Sequence, residues 1–186
     1  VAGSATVDTT GYYVPTTGVA STPLDNSFYR LDRTGVLQGQ LTNLGTFRHR
    51  GIIDLRGAAV GNTLVITSNA AAGGPVGTGT FISDSGELIL SAVLNDGLNS
   101  HADMLIVDRV QAGISPTRIY VDAHASSLGA LTPGNGIQLI EVRDKTASDA
   151  GAFILGSPVA SGAYDYQLFH NGVGADAADG NWYLRS

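Results

Sequence analysis

The sequence predicts an all-β fold, and three observations carry the prediction. Gly supplies 25 of 186 residues, charged residues make up only 14%, and Lys145 is the sole lysine. Helical domains coat their surfaces with Lys and Glu, whereas Ala, Val, Ile, Thr, Ser and Gly dominate here, the composition of short strands joined by tight turns. Nowhere does a 3.6-residue apolar rhythm persist for three turns.

Residues 1–46 are rich in Thr, Ser, Gly and Pro, with apolar clusters at Tyr12-Tyr13-Val14 and Phe28-Tyr29-Arg30-Leu31. They read as irregular β-structure or partial coils, and the run from Gly35 to Gly45 reads as short strands broken by Gly and Asn. Residues 47–186 show a stronger rhythm. Strand-like runs recur at 51–55, 63–67, 87–91, 104–107, 118–121 and 137–142, separated by turns such as Gly61-Asn62, Asn95-Asp96-Gly97 and Thr132-Pro133-Gly134. The intervals approach a solenoid period of roughly 20 residues.

A sandwich, a closed barrel and a right-handed β-helix all accommodate many short strands. Two features favour the parallel β-helix. Aromatic residues make up only 7%, where a sandwich wants bulky anchors between its sheets. Aliphatic residues also recur at comparable places, at Leu64, Leu88, Leu105, Ile119 and Leu139.

The C-terminal part departs from that pattern. Phe153, Tyr164, Tyr166, Phe169, Tyr183 and the single Trp182 cluster there, with Leu168 and Leu184 beside them. Tyr164-Asp165-Tyr166-Gln167-Leu168 alternates apolar and polar residues, the period of a half-buried strand. A loop of Gly, Ala and Asp then leads to Asn181-Trp182-Tyr183-Leu184-Arg185, so the two runs form a β-hairpin. The last coil of a solenoid exposes an open sheet edge and a raw core end, and an aromatic hairpin would cover both. Phe153, Tyr164, Tyr166, Leu168, Phe169, Trp182, Tyr183 and Leu184 are therefore the candidate folding cap.

Charge and composition exclude several classes. A net charge of −6 opposes nucleic-acid binding, which needs a positive face to displace phosphate counterions. With no cysteine there is no disulfide scaffold, thiolate metal site or Cys nucleophile. No apolar run approaches the ~18 residues that cross a bilayer as a helix. The chain opens on Val1 with no signal-peptide pattern, as expected of an interior piece of a longer protein.

Candidate chemistry is sparse. Asp84-Ser85-Gly86 has the look of a protease nucleophile turn with His49 and Asp54 upstream, but Ser83 replaces the usual preceding Gly and the spacing is too short for two barrels. Asp176, Asp179 and Asn181 are close enough to suggest calcium, yet lack the alternating oxygens and closing acid of a calcium loop. The histidines at 49, 101, 124 and 170 have no metal-ligand spacing. Gly73 to Gly79 lacks the Lys of a phosphate loop and reads as a protruding loop, and Arg48-His49-Arg50 reads as a solvated basic turn. Neither a catalytic role nor a cofactor is expected.

Taken in order, Asn135-Gly136-Ile137-Gln138-Leu139-Ile140-Glu141-Val142, Gly151-Ala152-Phe153, Ala163 to Leu168 and Asp179-Gly180-Asn181-Trp182-Tyr183-Leu184-Arg185-Ser186 resemble the C-terminal passenger segment of Gram-negative type V autotransporters of the pertactin-like class. Gly61 to Ile66 and Asp103 to Val107 resemble that family's strand motifs. The resemblance implies a right-handed parallel β-helix ending in an autochaperone region that folds first and templates the rest. It implies display on the bacterial cell surface after periplasmic transit, with the upstream passenger and a downstream outer-membrane β-barrel of the same polypeptide as partners. The parent would be an adhesin or virulence factor. Alternatively, the segment itself binds host matrix, host cells or sister bacteria.

Overall fold

A short run such as Thr63-Leu64-Val65-Ile66 cannot bury its apolar face alone and needs strands on both edges. The computed structural model describes residues 5–9, 12–13, 18–19, 38–96 and 99–186. It begins with β1 (Ala5–Thr9), β2 (Tyr12–Tyr13) and β3 (Gly18–Val19). Next come β4 (Gln38–Leu41), β5 (Leu44–His49), β6 (Ile52–Asp54), β7 (Thr63–Ile66), β8 (Thr80–Ser83) and β9 (Glu87–Val93). A two-residue β10 (His101–Ala102) precedes β11 (Met104–Val107), β12 (Arg109–Ala112), β13 (Thr117–Ala123), β14 (Ile137–Val142) and β15 (Phe153–Leu155). The chain ends with β16 (Val159–Ser161), β17 (Tyr164–His170), a single 3-10 turn at Gly174–Asp176 and β18 (Trp182–Arg185). The described residues are thus all-β with almost no helix.

Three sheets share these strands. β4, β7, β11 and β14 are neighbours in an eight-stranded sheet, β5, β8 and β12 in a four-stranded one, and β6, β9, β13 and β15 in a six-stranded one. Each of these neighbour pairs is parallel. From β4 to β13 the chain visits the three sheets in one repeating order, each time laying a strand beside the previous one. Strands β1, β2 and β3 add in parallel to β5, β6 and β4. Antiparallel strands enter at β10, beside β9, and at the C-terminal end.

The strand-like runs at 51–55, 63–67, 87–91, 104–107, 118–121 and 137–142 coincide with β6, β7, β9, β11, β13 and β14. The four-stranded sheet is the one the pattern misses. Its strands are four to six residues long and interrupt their apolar residues with polar ones, as in Thr46-Phe47-Arg48-His49 and Arg109-Val110-Gln111-Ala112. Most of the 1–46 segment, including Phe28 to Leu31, lies outside the described residues, as does Gly97 of the Asn95-Asp96-Gly97 turn.

Two readings are corrected. The aliphatic positions do not form one series. Leu64, Leu105 and Ile140 share one rung and Leu88 and Ile119 another, while Leu139 falls at a register shift opposite β18. The circuits are also uneven and longer than a roughly 20-residue period: paired residues are 25 apart from β4 to β7 (Gln38 and Thr63) and 41 apart from β7 to β11 (Thr63 and Met104). Loops at the corners absorb the added length.

The core is aliphatic where the sheets face each other, with Leu64, Leu88, Leu105 and Ile119 fully buried. Two carboxylates stitch successive circuits at the corners. Asp103 is fully buried and accepts from the backbone N–H groups of Gly61 (2.9 Å), Asn62 (2.8 Å) and Ser91 (2.7 Å) and from the Asn62 side chain (3.1 Å). Burial raises its pKa while those donors oppose the rise. Asp108 accepts from the Thr67 hydroxyl (2.8 Å) and from the N–H groups of Ser68 (2.9 Å) and Gly77 (3.2 Å). The 73–79 segment read as a protruding loop therefore exposes Val76 but is anchored at its base.

Replacing Asp103 by Ala strands several buried donors at once, each worth about 1–3 kcal/mol. The expected loss of stability is about 2–4 kcal/mol, read as a lowered urea midpoint. A midpoint equal to wild type would show that the carboxylate does not stitch the circuits.

Candidate functional site

β14, the last parallel strand of the eight-stranded sheet, would leave an open edge. β18 closes it in antiparallel pairing, with Ile137 opposite Leu184 and Ile140 opposite Trp182. β17 pairs with β18 to complete the hairpin, with Phe169 opposite Tyr183 and His170 opposite Trp182. Gly136 opens β14 with φ of 86°, and a Cβ there would lie 2.2 Å from the Leu184 carbonyl, so the hairpin docks only against a glycine.

The candidate cap residues divide by face. Trp182, Tyr166, Phe153, Tyr183 and Leu184 are buried, Tyr164 and Leu168 are half-buried, and Phe169 is 39% exposed. Strand alternation explains the split, because Tyr164, Tyr166 and Leu168 share one face of β17 and Phe169 stands on the other. On that outer side Arg185 stacks between rings, its guanidinium carbon 4.7 Å from the Phe169 centroid and 5.8 Å from that of Tyr183. Arg185 also donates to the Asn135 carbonyl at 2.9 Å and to the Asn171 carbonyl, so it clamps the hairpin loop to the chain entering β14.

Beneath the hairpin runs a column of rings. Phe47 stacks on Phe81 at 5.6 Å, Phe81 on Phe153 at 5.8 Å, and Phe153 meets the edge of Trp182 at 4.8 Å. The His170 ring closes the far side of Trp182 at 4.4 Å, and its Nε2 lies 3.1 Å from the Ser148 hydroxyl, which donates to the Gly180 carbonyl at 2.6 Å. The sequence grouped the C-terminal rings but not Phe47 and Phe81. The two Phe residues occupy paired positions of β5 and β8, the sheet whose strands the pattern missed.

Hydrogen bonds fix the rest of the cap. The Tyr166 hydroxyl donates to the Ala130 carbonyl and accepts from its N–H, both at 3.0 Å, pinning the 124–136 loop to β17. Asn181 accepts from the Val142 N–H at 2.8 Å, ending β14 against the hairpin. The Tyr183 hydroxyl donates to Asp179 at 2.5 Å. Burial, then the neighbouring Asp179, push its pKa up to about 12.

The residues considered for calcium each accept hydrogen bonds from neighbouring groups of the cap. Asp179 accepts from the Asn181 N–H as well as from Tyr183, and Asp176 accepts from the Asn135 side chain at 2.7 Å. The protease-like set does not assemble. Asp84 is held by Arg48 (2.9 Å) and Arg50 (2.8 Å), Asp54 by Arg56 (2.9 Å), and Ser85 occupies a turn with φ of 68°. Arg50 first, then Arg48, draws the Asp84 pKa down to about 2. Arg48-His49-Arg50 is not a solvated turn. Arg48 and His49 end β5, and His49 is fully buried, because alternation along the strand turns it inward beside Phe47.

Two outcomes are expected of the cap. Trp182→Ala empties the top of the column and costs about 3–5 kcal/mol, read by urea unfolding. A loss below about 1 kcal/mol would contradict the packing. At high pH the raised Tyr183 pKa has a defined sign. Its stabilisation is complete below pH 10 and lost as pH rises from 10 through about 12. Tyr183→Phe should flatten unfolding stability across that window, and an unchanged alkaline slope would contradict the assignment.

Comparison with known proteins agrees with this architecture. The model of the family Autochaperone Domain Type 1 matches residues 75–168. The chain is 34% identical over 163 residues, 88% of its length, to the uncharacterized protein YuaQ of Escherichia coli K12, and covers 10% of that protein. It is 34% identical over 116 residues, 58% of its length, to the adhesin BmaC autotransporter of Brucella suis, and covers 3% of it. The chain therefore spans a tenth or less of the curated relatives it matches. With the match spanning half of its residues, the chain belongs to the Autochaperone Domain Type 1 family and is a passenger autochaperone region of a type V autotransporter.

Proposed function

We propose that this chain is the C-terminal part of a surface-displayed passenger, folded as a right-handed parallel β-helix, whose aromatic hairpin both caps the helix and starts its folding. The observation that carries the reading is the column from Phe47 to Trp182. It joins the antiparallel hairpin to side chains two and three circuits away from β14, so closing the hairpin also orders the coils behind it. A solenoid grows by neighbour contacts, and its most stable coil sets where growth begins. Outside the cell there is no ATP, so folding free energy itself would hold the emerging chain against sliding back. The partners are the upstream passenger and the outer-membrane β-barrel of the same polypeptide. The role involves no catalysis, a reading supported by the sealed His49 and the arginine-bound Asp84.

The relative named as an adhesin supports an adhesive or virulence-related parent, and it also favours a second reading in which this segment itself is adhesive. The exposed side chains of Ile114, Leu128 and Leu131 offer contact surface for that reading. The two readings separate in one experiment. The upstream passenger is refolded with this segment attached, added in trans, or absent, and protease resistance is scored. Resistance that depends on the segment, and that falls with Trp182→Ala, is expected of a folding cap. Equal resistance in its absence, with saturable binding of the isolated segment to host matrix, would replace that reading with the adhesive one.

A further inference from the structure

We propose that closure of the Phe47–Phe81 layer is coupled to deprotonation of His49: the ring column closes around an uncharged imidazole, so acid disfavours this packing and neutral pH favours it. This goes beyond the cap's proposed role, because it concerns the chain's own closure and holds whether or not the segment templates another.

The geometry leaves no room for a cation. The His49 ring is fully buried, 6.3 Å from the Phe47 centroid and 5.4 Å from that of Phe81. Gly86 lies against it so closely that a Cβ would be 2.4 Å from Nδ1. Nδ1 faces the Thr117 hydroxyl at 3.2 Å, and that hydroxyl receives the Ser83 hydroxyl at 2.9 Å. Nε2 is sealed from solvent without a hydrogen-bond partner. An imidazolium carries a proton on both nitrogens and buries its charge in the core, a cost that the Gly51 carbonyl offsets only in part.

Among the described residues no counter-ion relieves that cost. Arg48 and Arg50, on either side of His49, both turn to Asp84, the residue after Ser83. Glu87, beside Gly86, and Arg118, beside Thr117, pair in register and stand on the outer face of their strands, while Leu88 and Thr117 point inward. Burial accordingly lowers the His49 pKa from 6.5 to about 3, opposed only in part by the Gly51 carbonyl. The folded-state pKa is depressed, so the contribution is complete above about pH 6.5 and is lost as pH falls toward 3.

The test is urea unfolding of the chain at pH 8 and pH 5. The folded-to-unfolded ratio of the wild type should fall about 30-fold between the two through this group alone. His49→Asn and His49→Phe should each remove that component. His170→Asn should keep it, since His170 is only partly buried and faces Asp149 and Asp179. A His49 variant with the full wild-type fall, or a wild type with no fall, would overturn the proposal. Should both variants fail to fold, NMR of histidine-labelled wild type decides. The folded His49 ring should not titrate between pH 5 and 8, and a titration there would overturn the proposal.

Discussion

The contact on which the rest of this molecule depends is the edge of Trp182 against Phe153, 4.8 Å between centroids. It is the point where an antiparallel hairpin meets the interior of a parallel stack. On one side of it, β18 pairs with the edge of β14; on the other, Phe153 continues through Phe81 to Phe47. A parallel stack has no natural terminus, because each strand is a template for the next. Here the strand direction reverses, and an indole lies buried where the hairpin meets the parallel strands.

The polar interior complements that column. Asp103 and Asp108 each gather donors from segments some 40 residues apart in sequence, in places where the chain turns between sheets. Buried carboxylates of this kind select one register, since a slip by one residue would leave several N–H groups unsatisfied. Aliphatic rungs are forgiving about register and side-chain identity; the carboxylates are not. The combination suits a stack that must build up one circuit at a time without mispairing, the task proposed for this region.

Much of this was legible from the residues. Alternation in Tyr164 to Leu168 located β17, the Asp-rich loop and Asn181 to Arg185 located the hairpin, and six apolar runs located six strands in two of the sheets. The third sheet was not legible. Its core residues, Phe47, Phe81 and Val110, lie in strands that mix polar with apolar positions, as in Thr46-Phe47-Arg48 and Arg109-Val110-Gln111, and so form no continuous apolar run. That omission also hid the lower half of the ring column and the inward turn of His49, which the flanking arginines made look like surface. Phe169 shows a different gap: composition grouped it with the other rings of the hairpin, and its position on β17 turns it outward to Arg185. Composition reports which residues are apolar, and only strand register reports which way they face.

The central claim is that folding starts at the hairpin and its ring column. Pulse-labelled hydrogen exchange during refolding of the chain tests it most directly. The account predicts that amides of β14, β17 and β18, with those of β15 beneath, gain protection first and those of β4 to β8 later. Protection that begins at β4 to β8, with the hairpin last, would contradict it and leave the hairpin as a seal added to a finished stack.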